Sequence, residues 1–379
     1  MGKMLSRPVL AASVPPLASI FGSGFLIIVP VLERTLGALS VLGIAGVCAF
    51  AWFVGTTIRH NVAVVEPRRE KGQLDRPTEW TEQASDLVIA VAYMISVALY
   101  LRILSEYVVE FLGGPAEIPE RMLACAGVLL IVGVGIVRGF SGLDRMERLA
   151  LIAVLALMTV LGGVLFFNDT GNLLGAGLDL PPVPGKSLTD VLLVLGGIVI
   201  TVQGFETVRY LGAEYDRPTR ILACRLSQIV SSSVYVGFVL VATPVMGLGM
   251  GDGPDNSLLD ITHRVLPILS AAIVVTAVLS QFSAATADTV AAHGNLRGFF
   301  PHQMRGPRAY LLSGGVAILL VWSVPTFTLI VIASRAFAAY YALQCIVALR
   351  TSPGTWRKLG FGLLAIVLAL VTLLARPAG

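Results

Sequence analysis

Runs of apolar residues dominate the chain, each ended after roughly twenty positions by a charge, a proline or a glycine. A hydrocarbon core of about 30 Å takes about 20 apolar residues per helix. Eleven runs of that order occur, over 9–32, 36–58, 85–111, 121–138, 147–167, 188–211, 222–247, 258–293, 309–324, 326–349 and 356–376. They predict an all-α polytopic membrane protein of about 11 transmembrane helices, because backbone N–H and C=O groups in lipid must be satisfied within the segment. The first run has no small-residue cleavage site and is too long for the apolar part of a signal peptide, so it is read as a span.

Composition agrees with this pattern and narrows the class. Of 379 residues, 56% are hydrophobic and 13% charged, against roughly a quarter charged in a soluble protein, and the mean hydropathy is +0.83. Globules of this length cannot bury that much apolar surface. A secreted disulfide scaffold, a disordered regulator and a nucleic-acid-binding domain are excluded. The net charge of +4 comes from residues in short loops. Twenty Lys and Arg side chains, Arg59, Arg68, Arg69, Arg209, Arg217, Arg220 and Arg350 among them, fall in one set of alternate loops. The opposite set holds four, Arg34, Arg121, Lys186 and Arg376. The positive-inside rule then puts the N-terminus in the cytoplasm and the C-terminus outside. Arg-rich, Lys-poor usage points to a bacterial inner (plasma) membrane. Cys48, Cys125, Cys224 and Cys345 have no metal-ligand spacing and read as packing residues. No HExxH, GxSxG or P-loop occurs, so the expectation is a protein that is not an enzyme and has no cofactor, metal or obligate protein partner.

Two runs carry polar interruptions. The first contains Ser19-Ile20-Phe21-Gly22-Ser23-Gly24-Phe25, the sixth Thr201-Val202-Gln203-Gly204-Phe205-Glu206-Thr207. Small residues at a helix contact would give the first pattern. A break in the helix would give both, and the two lie at corresponding depths from opposite faces. Five spans are an odd number, so a second block of five starts on the other face, as in an inverted repeat. Repeat one covers about 9–167 and repeat two about 188–349, leaving 356–376 as an extra helix of a single transporter domain. A broken helix frees N–H groups on one side and carbonyls on the other. Two breaks side by side suit a small zwitterion.

At these residues the sequence resembles the amino acid-polyamine-organocation (APC) transporter superfamily, which has the LeuT-type fold. Phe21-Gly22-Ser23-Gly24-Phe25-Leu26 looks like the family's break in helix 1. Gln203-Gly204-Phe205-Glu206-Thr207, followed by Gly212-Ala213-Glu214-Tyr215-Asp216-Arg217-Pro218, is similar to its helix 6 segment and acidic loop. Ser283-Ala284-Ala285-Thr286-Ala287-Asp288, running to Gly298-Phe299-Phe300-Pro301, resembles its helix 8 and the turn after it. The resemblance implies discontinuous helices 1 and 6 and alternating access, with spans 1, 2, 6 and 7 rocking against 3, 4, 8 and 9. It implies secondary active transport of an amino acid or related small organic solute, ion-coupled or by exchange. Ser23 and Gly24 would meet a carboxylate and Ile20, Val202 and Gln203 an ammonium, with Gly22, Gly204 and Phe205 also part of the substrate site. The helix 5 lysine of a family subset is missing between Glu147 and Asn168. Ser280, Ser283 and Thr286 offer a sodium site, against which stands the habit of such hydroxyls to bond their own backbone.

Ionisable residues inside spans are candidates for function. Arg102 and Glu106, four apart, read as an intrahelical pair at the outer side. Arg335 needs a carboxylate or an anionic ligand, Glu206 serves as proton carrier or gate counter-ion or else only stabilises the helix break, and Asp288 as inner-gate partner of an arginine such as Arg209 or Arg7. A membrane sensor or receptor that keeps the transporter fold without moving solute is the alternative.

Overall fold

The structure is a computed structural model that describes residues 4–114, 116–137, 143–174, 180–249 and 268–377. Every regular element among the described residues is helical. A short α1 (Arg7–Ala12) leads into α2 (Val14–Leu36) and α3 (Ser40–His60), whose end widens into a π-helical turn at Asn61–Val65 before α4 (Glu66–Glu70). Then come α5 (Arg76–Gly113), α6 (Glu117–Val137) and α7 (Leu143–Leu174). The next run is α8 (Leu188–Gly197) continued by 3-10 segments Val199–Val202 and Phe205–Ala213, after which α9 (Arg217–Ala242) follows. The remaining helices are α10 (Ile268–Phe299), α11 (Arg308–Ser323), α12 (Thr326–Thr351) and α13 (Thr355–Leu374). Eight helical stretches among the described residues are long and apolar enough to cross a membrane, the first of them running through α2 and α3, and α8 and α11 are shorter apolar helices.

Burial orders these helices. In α5, 83% of the apolar window is enclosed, against 11% in α13, so α5 is the axis of the bundle and α13 a peripheral helix resting on α12 and α8. α10, α12, α6 and α11 pack on α5, whereas α3, α2 and the Phe205–Ala213 segment pack on α9. Tyr93, Tyr100 and Tyr107 recur every seven residues along α5 and are all buried, since that spacing returns each to one helix face.

The expected break in helix 1 is corrected: α2 runs without interruption from Val14 to Leu36, through Gly22 and Gly24. The glycines serve close approach instead. A Cβ on Gly22 would stand 2.8 Å from the Ala284 Cβ of α10, and one on Gly24 would stand 2.2 Å from both the Thr201 carbonyl and the Tyr235 hydroxyl. The discontinuity of the first run lies earlier, at Ser13, because Pro15 and Pro16 have no N–H to carry the helical ladder across from α1. Pro30 likewise cannot bond the Leu26 carbonyl, which accepts the Tyr107 hydroxyl at 3.4 Å.

Candidate functional site: the interrupted sixth helix

The sixth run is irregular where its sequence places Gln203 and Gly204. α8 stops at Gly197, whose carbonyl accepts the Ser334 hydroxyl at 2.8 Å. The chain tightens into a 3-10 turn, passes Gly204 at a φ of +128°, and resumes as a second 3-10 segment. Only glycine adopts that φ without strain, and a Cβ there would stand 2.7 Å from the Ile20 nitrogen. The bend therefore presses against α2 one turn before Gly24.

Glu206 caps the bend. Its Oε2 accepts the Gly204 N–H at 2.8 Å and the Tyr341 hydroxyl of α12 at 2.6 Å. The other oxygen, Oε1, is buried with no partner among the described residues. Phe205 stacks on Tyr341 with centroids 5.3 Å apart; Phe337 lies beside Tyr341 at 6.5 Å and beside Tyr93 at 5.8 Å. Gln203 donates to the Tyr100 hydroxyl at 3.1 Å, leaving its Oε1 buried and unpartnered among the described residues. Val202 and Phe205 are both buried. These residues lie together around the bend.

The α2 side of the site differs from expectation. The Ile20 carbonyl accepts the Tyr235 hydroxyl of α9 at 2.8 Å, and the Gly22 carbonyl accepts Gln281 Nε2 of α10 at 2.5 Å. Protein donors thus occupy the Ile20 carbonyl, which a ligand ammonium would use, and the Gly22 carbonyl near it. Ser23 lies on α2, with its side chain outside the described residues. Ser280 donates to Ala277 O at 3.3 Å and Thr286 to Phe282 O at 2.7 Å, both bonds within α10. Ser283 is buried and its hydroxyl has no partner among the described residues.

Asp288 does not meet Arg209, and that expectation is corrected. Asp288 is buried against Ser96 of α5, and among the described residues it forms no ion pair with an arginine. Arg209 lies one 3-10 turn beyond Glu206 and pairs closely with Glu82 of α5, donating also to the Tyr340 hydroxyl at 3.4 Å. Around it, Arg220 binds Glu66 at 2.6 Å, Arg69 binds Asp86 at 3.0 Å, and Gln344 donates to Glu82 at 2.9 Å. These pairs join α4 and the sixth run to α5 and α12. A cavity of about 670 Å³ lies outside them, lined by Glu66, Arg69, Arg209, Gly212, Tyr215 and Arg220. At the edge of this Arg-rich end, the Thr78 hydroxyl and the Arg350 guanidinium hold the Asp75 carboxyl below the usual range, and Thr219 does the same for Asp216. Both carboxylates therefore stay charged until the pH falls through those depressed values.

At the opposite end Arg102 binds Glu106 at 3.1 Å, as expected of the i, i+4 pair, and its Nε reaches the Thr326 hydroxyl at 3.3 Å. Thr326 donates in turn to Glu106. The space beside Glu106, Tyr107, Thr326 and Pro30 is about 20 Å³, room for about one water molecule. Arg335 is corrected as well: among the described residues it meets no carboxylate, and its guanidinium donates to the Ala375 carbonyl just past α13 at 2.5 Å. The negative end of a helix supplies the counter-charge there. Sequence reasoning missed Tyr93, Tyr100, Tyr235, Gln281, Tyr341 and Glu82; the seven-residue tyrosine spacing was the available signal for the first two.

Known proteins share the family and the fold. A family model for APC superfamily transporters matches residues 2–375. An uncharacterized protein of Aquifex aeolicus (strain VF5) is 37% identical over 341 residues, covering 89% of this chain and 82% of the relative. The crystal structure of a mutant manganese transporter from Eremococcus coleocola superposes with a TM-score of 0.58 at 12% identity, covering 96% of this chain and 85% of that one. Inward-facing Mhp1 gives 0.56 at 13% identity, covering 97% and 88%. Mhp1, a nucleobase-cation-symport-1 family transporter, in a closed form with bromovinylhydantoin bound gives 0.54 at 14%, covering 96% and 91%. Identities this low speak for the fold alone. With the whole-chain family match beside them, the chain belongs to the APC superfamily of transporters.

Proposed function

We propose that the protein is a secondary active transporter that moves an amino acid or related small organic solute across a bacterial inner membrane by alternating access at the Gln203–Glu206 bend. The observation that carries this reading is the buried, irregular Gly204 turn, capped by a carboxylate and walled by aromatic rings from α5 and α12. Irregular backbone at membrane depth is tolerated only where it is buried in protein or lines a water-filled cavity. Eleven spans in two inverted blocks of five plus α13, N-terminus inside, fit both the loop charges and the peripheral position of α13. The helices packed on α9 form the moving bundle, and those packed on α5 the scaffold. Ion pairs at the Arg-rich, cytoplasmic end and the Arg102–Glu106–Thr326 cluster at the outer end are the gates.

Glu206 carries the coupling proton in this reading, while Ser280, Ser283 and Thr286 are the sodium alternative. In liposomes, a pH gradient is expected to drive uptake that sodium replacement leaves unchanged. Glu206→Gln keeps acceptors for the Gly204 N–H and the Tyr341 hydroxyl, so it is expected to fold normally while gradient-driven uptake falls at least tenfold. Undiminished uptake in that variant would exclude Glu206 as the carrier, and absence of flux across amino acids, amines and nucleobases would remove the transport reading.

A further inference from the structure

α13 starts with its positive end bare. Gly354 at its N-cap has no side chain to accept a hydrogen bond, and no acidic residue stands in the first turn. The first backbone bond of the helix runs from the Lys358 N–H to the Gly354 carbonyl, so the N–H groups of Thr355, Trp356 and Arg357 have no acceptor within the helix. Partial positive charge gathers at such an end, which favours an anion and disfavours cations. Yet Arg357 and Lys358 both stand there, exposed and with no ion pair among the described residues. In the turn that leads into the helix, Ser352 is only 3% exposed, and its hydroxyl is buried with no partner among the described residues. Bare N–H groups, two uncompensated cations and an unused hydroxyl within seven consecutive residues are answered together by one oxyanion. The turn is also held in place. The Ser352 N–H bonds the Ala348 carbonyl at 3.0 Å to close α12, and His60 at the end of α3 touches both helices, its Nε2 3.1 Å from Thr351 Oγ1 and its ring 5.2 Å from that of Phe361. Phe361 shares a helix face with Arg357, four residues earlier.

Position selects the anion. α13 is the least enclosed of the long helices, and Trp356 at its start is 87% exposed, as an aromatic anchor at the membrane–water interface would be. Leu359, Leu363, Ile366, Leu370 and Leu373 continue from it at alternating steps of four and three, each at least half exposed, which places them on one face. Acyl chains have a surface along that stripe directly beside the bare helix end; a free phosphate would use none of it. Basic residues at the membrane edge attract anionic lipids. We infer that the N-terminal turn of α13 binds the phosphodiester headgroup of an anionic phospholipid of the cytoplasmic leaflet, through the N–H groups of Thr355, Trp356 and Arg357, the Ser352 hydroxyl, and the Arg357 and Lys358 side chains.

The purified full-length protein in neutral detergent would be mixed with equal amounts of phosphatidylglycerol and phosphatidylcholine, and the retained lipid counted by native mass spectrometry. Wild type is expected to retain phosphatidylglycerol at least fivefold over phosphatidylcholine. The double variant Arg357→Gln, Lys358→Gln should lose that preference, and Ser352→Ala, which removes only an unpartnered hydroxyl, should reduce it several-fold without lowering Tm in lipid-free detergent. Lys71→Gln, an exposed basic residue of the neighbouring loop, should leave it unchanged. Equal retention of the two lipids by wild type, or a preference that survives in the double variant and in Ser352→Ala, overturns the site. Full displacement of phosphatidylglycerol by low-millimolar inorganic phosphate or glycerol 1-phosphate overturns the lipid assignment in favour of a soluble phosphate. The inference takes the orientation of this loop from the proposed function. Labelling of Lys358→Cys by a membrane-impermeant maleimide from outside intact cells would overturn that orientation and the cytoplasmic leaflet with it, whereas loss of lipid preference alone leaves the transport reading standing.

Discussion

Gly204→Ala is expected to cost the protein several degrees of Tm and to reduce transport below a tenth of the wild-type rate. Two independent effects act on the one methyl group. The φ of +128° is a backbone conformation that an L side chain occupies only under strain, of order 1–3 kcal/mol. The methyl group would also stand 2.7 Å from the Ile20 nitrogen and 2.8 Å from the Ser19 side chain, and overpacking of this kind costs about 1–3 kcal/mol. Neither strain can relax cheaply, because Ile20 is held on its far side by Tyr235 and Gly204 by Glu206. Relief would move the bend away from α2 and pull Glu206 off Tyr341. Gly212→Ala is the control: its Cβ would meet only the Arg220 guanidinium at 3.7 Å, an ordinary contact, and it is expected to change Tm by no more than about one degree. Thermal unfolding in detergent and flux in liposomes read both variants. Equal Tm and equal flux for Gly204→Ala and wild type would show that the bend is not the fixed point of the site.

The same geometry explains what the sequence could and could not reveal. Lipid allows no unsatisfied backbone, so apolar runs of span length had to be helices, and the Arg asymmetry follows the loops between them. The bend at Gly204 was legible because glycine stands there between an amide and a carboxylate inside an apolar run. Gly22 and Gly24 were ambiguous for a physical reason: glycine permits unwinding and equally permits close approach, and only the neighbours decide. Those neighbours, Ala284 of α10 and Tyr235 of α9, lie more than two hundred residues away in the chain. The discontinuity in the first run was written in Pro15 and Pro16, a stronger helix-breaking signal than either glycine. Glu82 was hidden by its company. In sequence it sits among Glu79, Gln83 and Asp86 near a basic loop and looks like a solvated residue, yet it is fully buried because Arg209, arriving from the sixth run, neutralises it.

Replacing Arg209 should therefore be the most disruptive single change at the Arg-rich end. Arg209→Met keeps an unbranched stem of similar bulk and deletes the charge, leaving Glu82 buried with Gln344 as its remaining close donor and Arg69 at 3.8 Å. Breaking a buried pair from one side costs about 3–5 kcal/mol, and even the lower figure moves a closed-to-open equilibrium by about a hundredfold. The native cysteines report such opening. Cys224 beside Arg59 and Cys345 beside Thr57 are both fully buried near this end. In a Cys48→Ser, Cys125→Ser background, maleimide labelling of Cys224 and Cys345 is expected to accelerate at least tenfold in Arg209→Met. Global unfolding would accelerate labelling too, so Tm must be read alongside: local opening speeds labelling at temperatures well below the unfolding transition. The double variant Arg209→Met with Glu82→Met separates charge from packing. It removes the stranded carboxylate, and since apolar replacement of a whole buried pair is often neutral, it should recover most of the lost Tm. Wild-type labelling rates in Arg209→Met would mean that the remaining pairs, Arg220 with Glu66 and Arg69 with Asp86, hold this end closed by themselves.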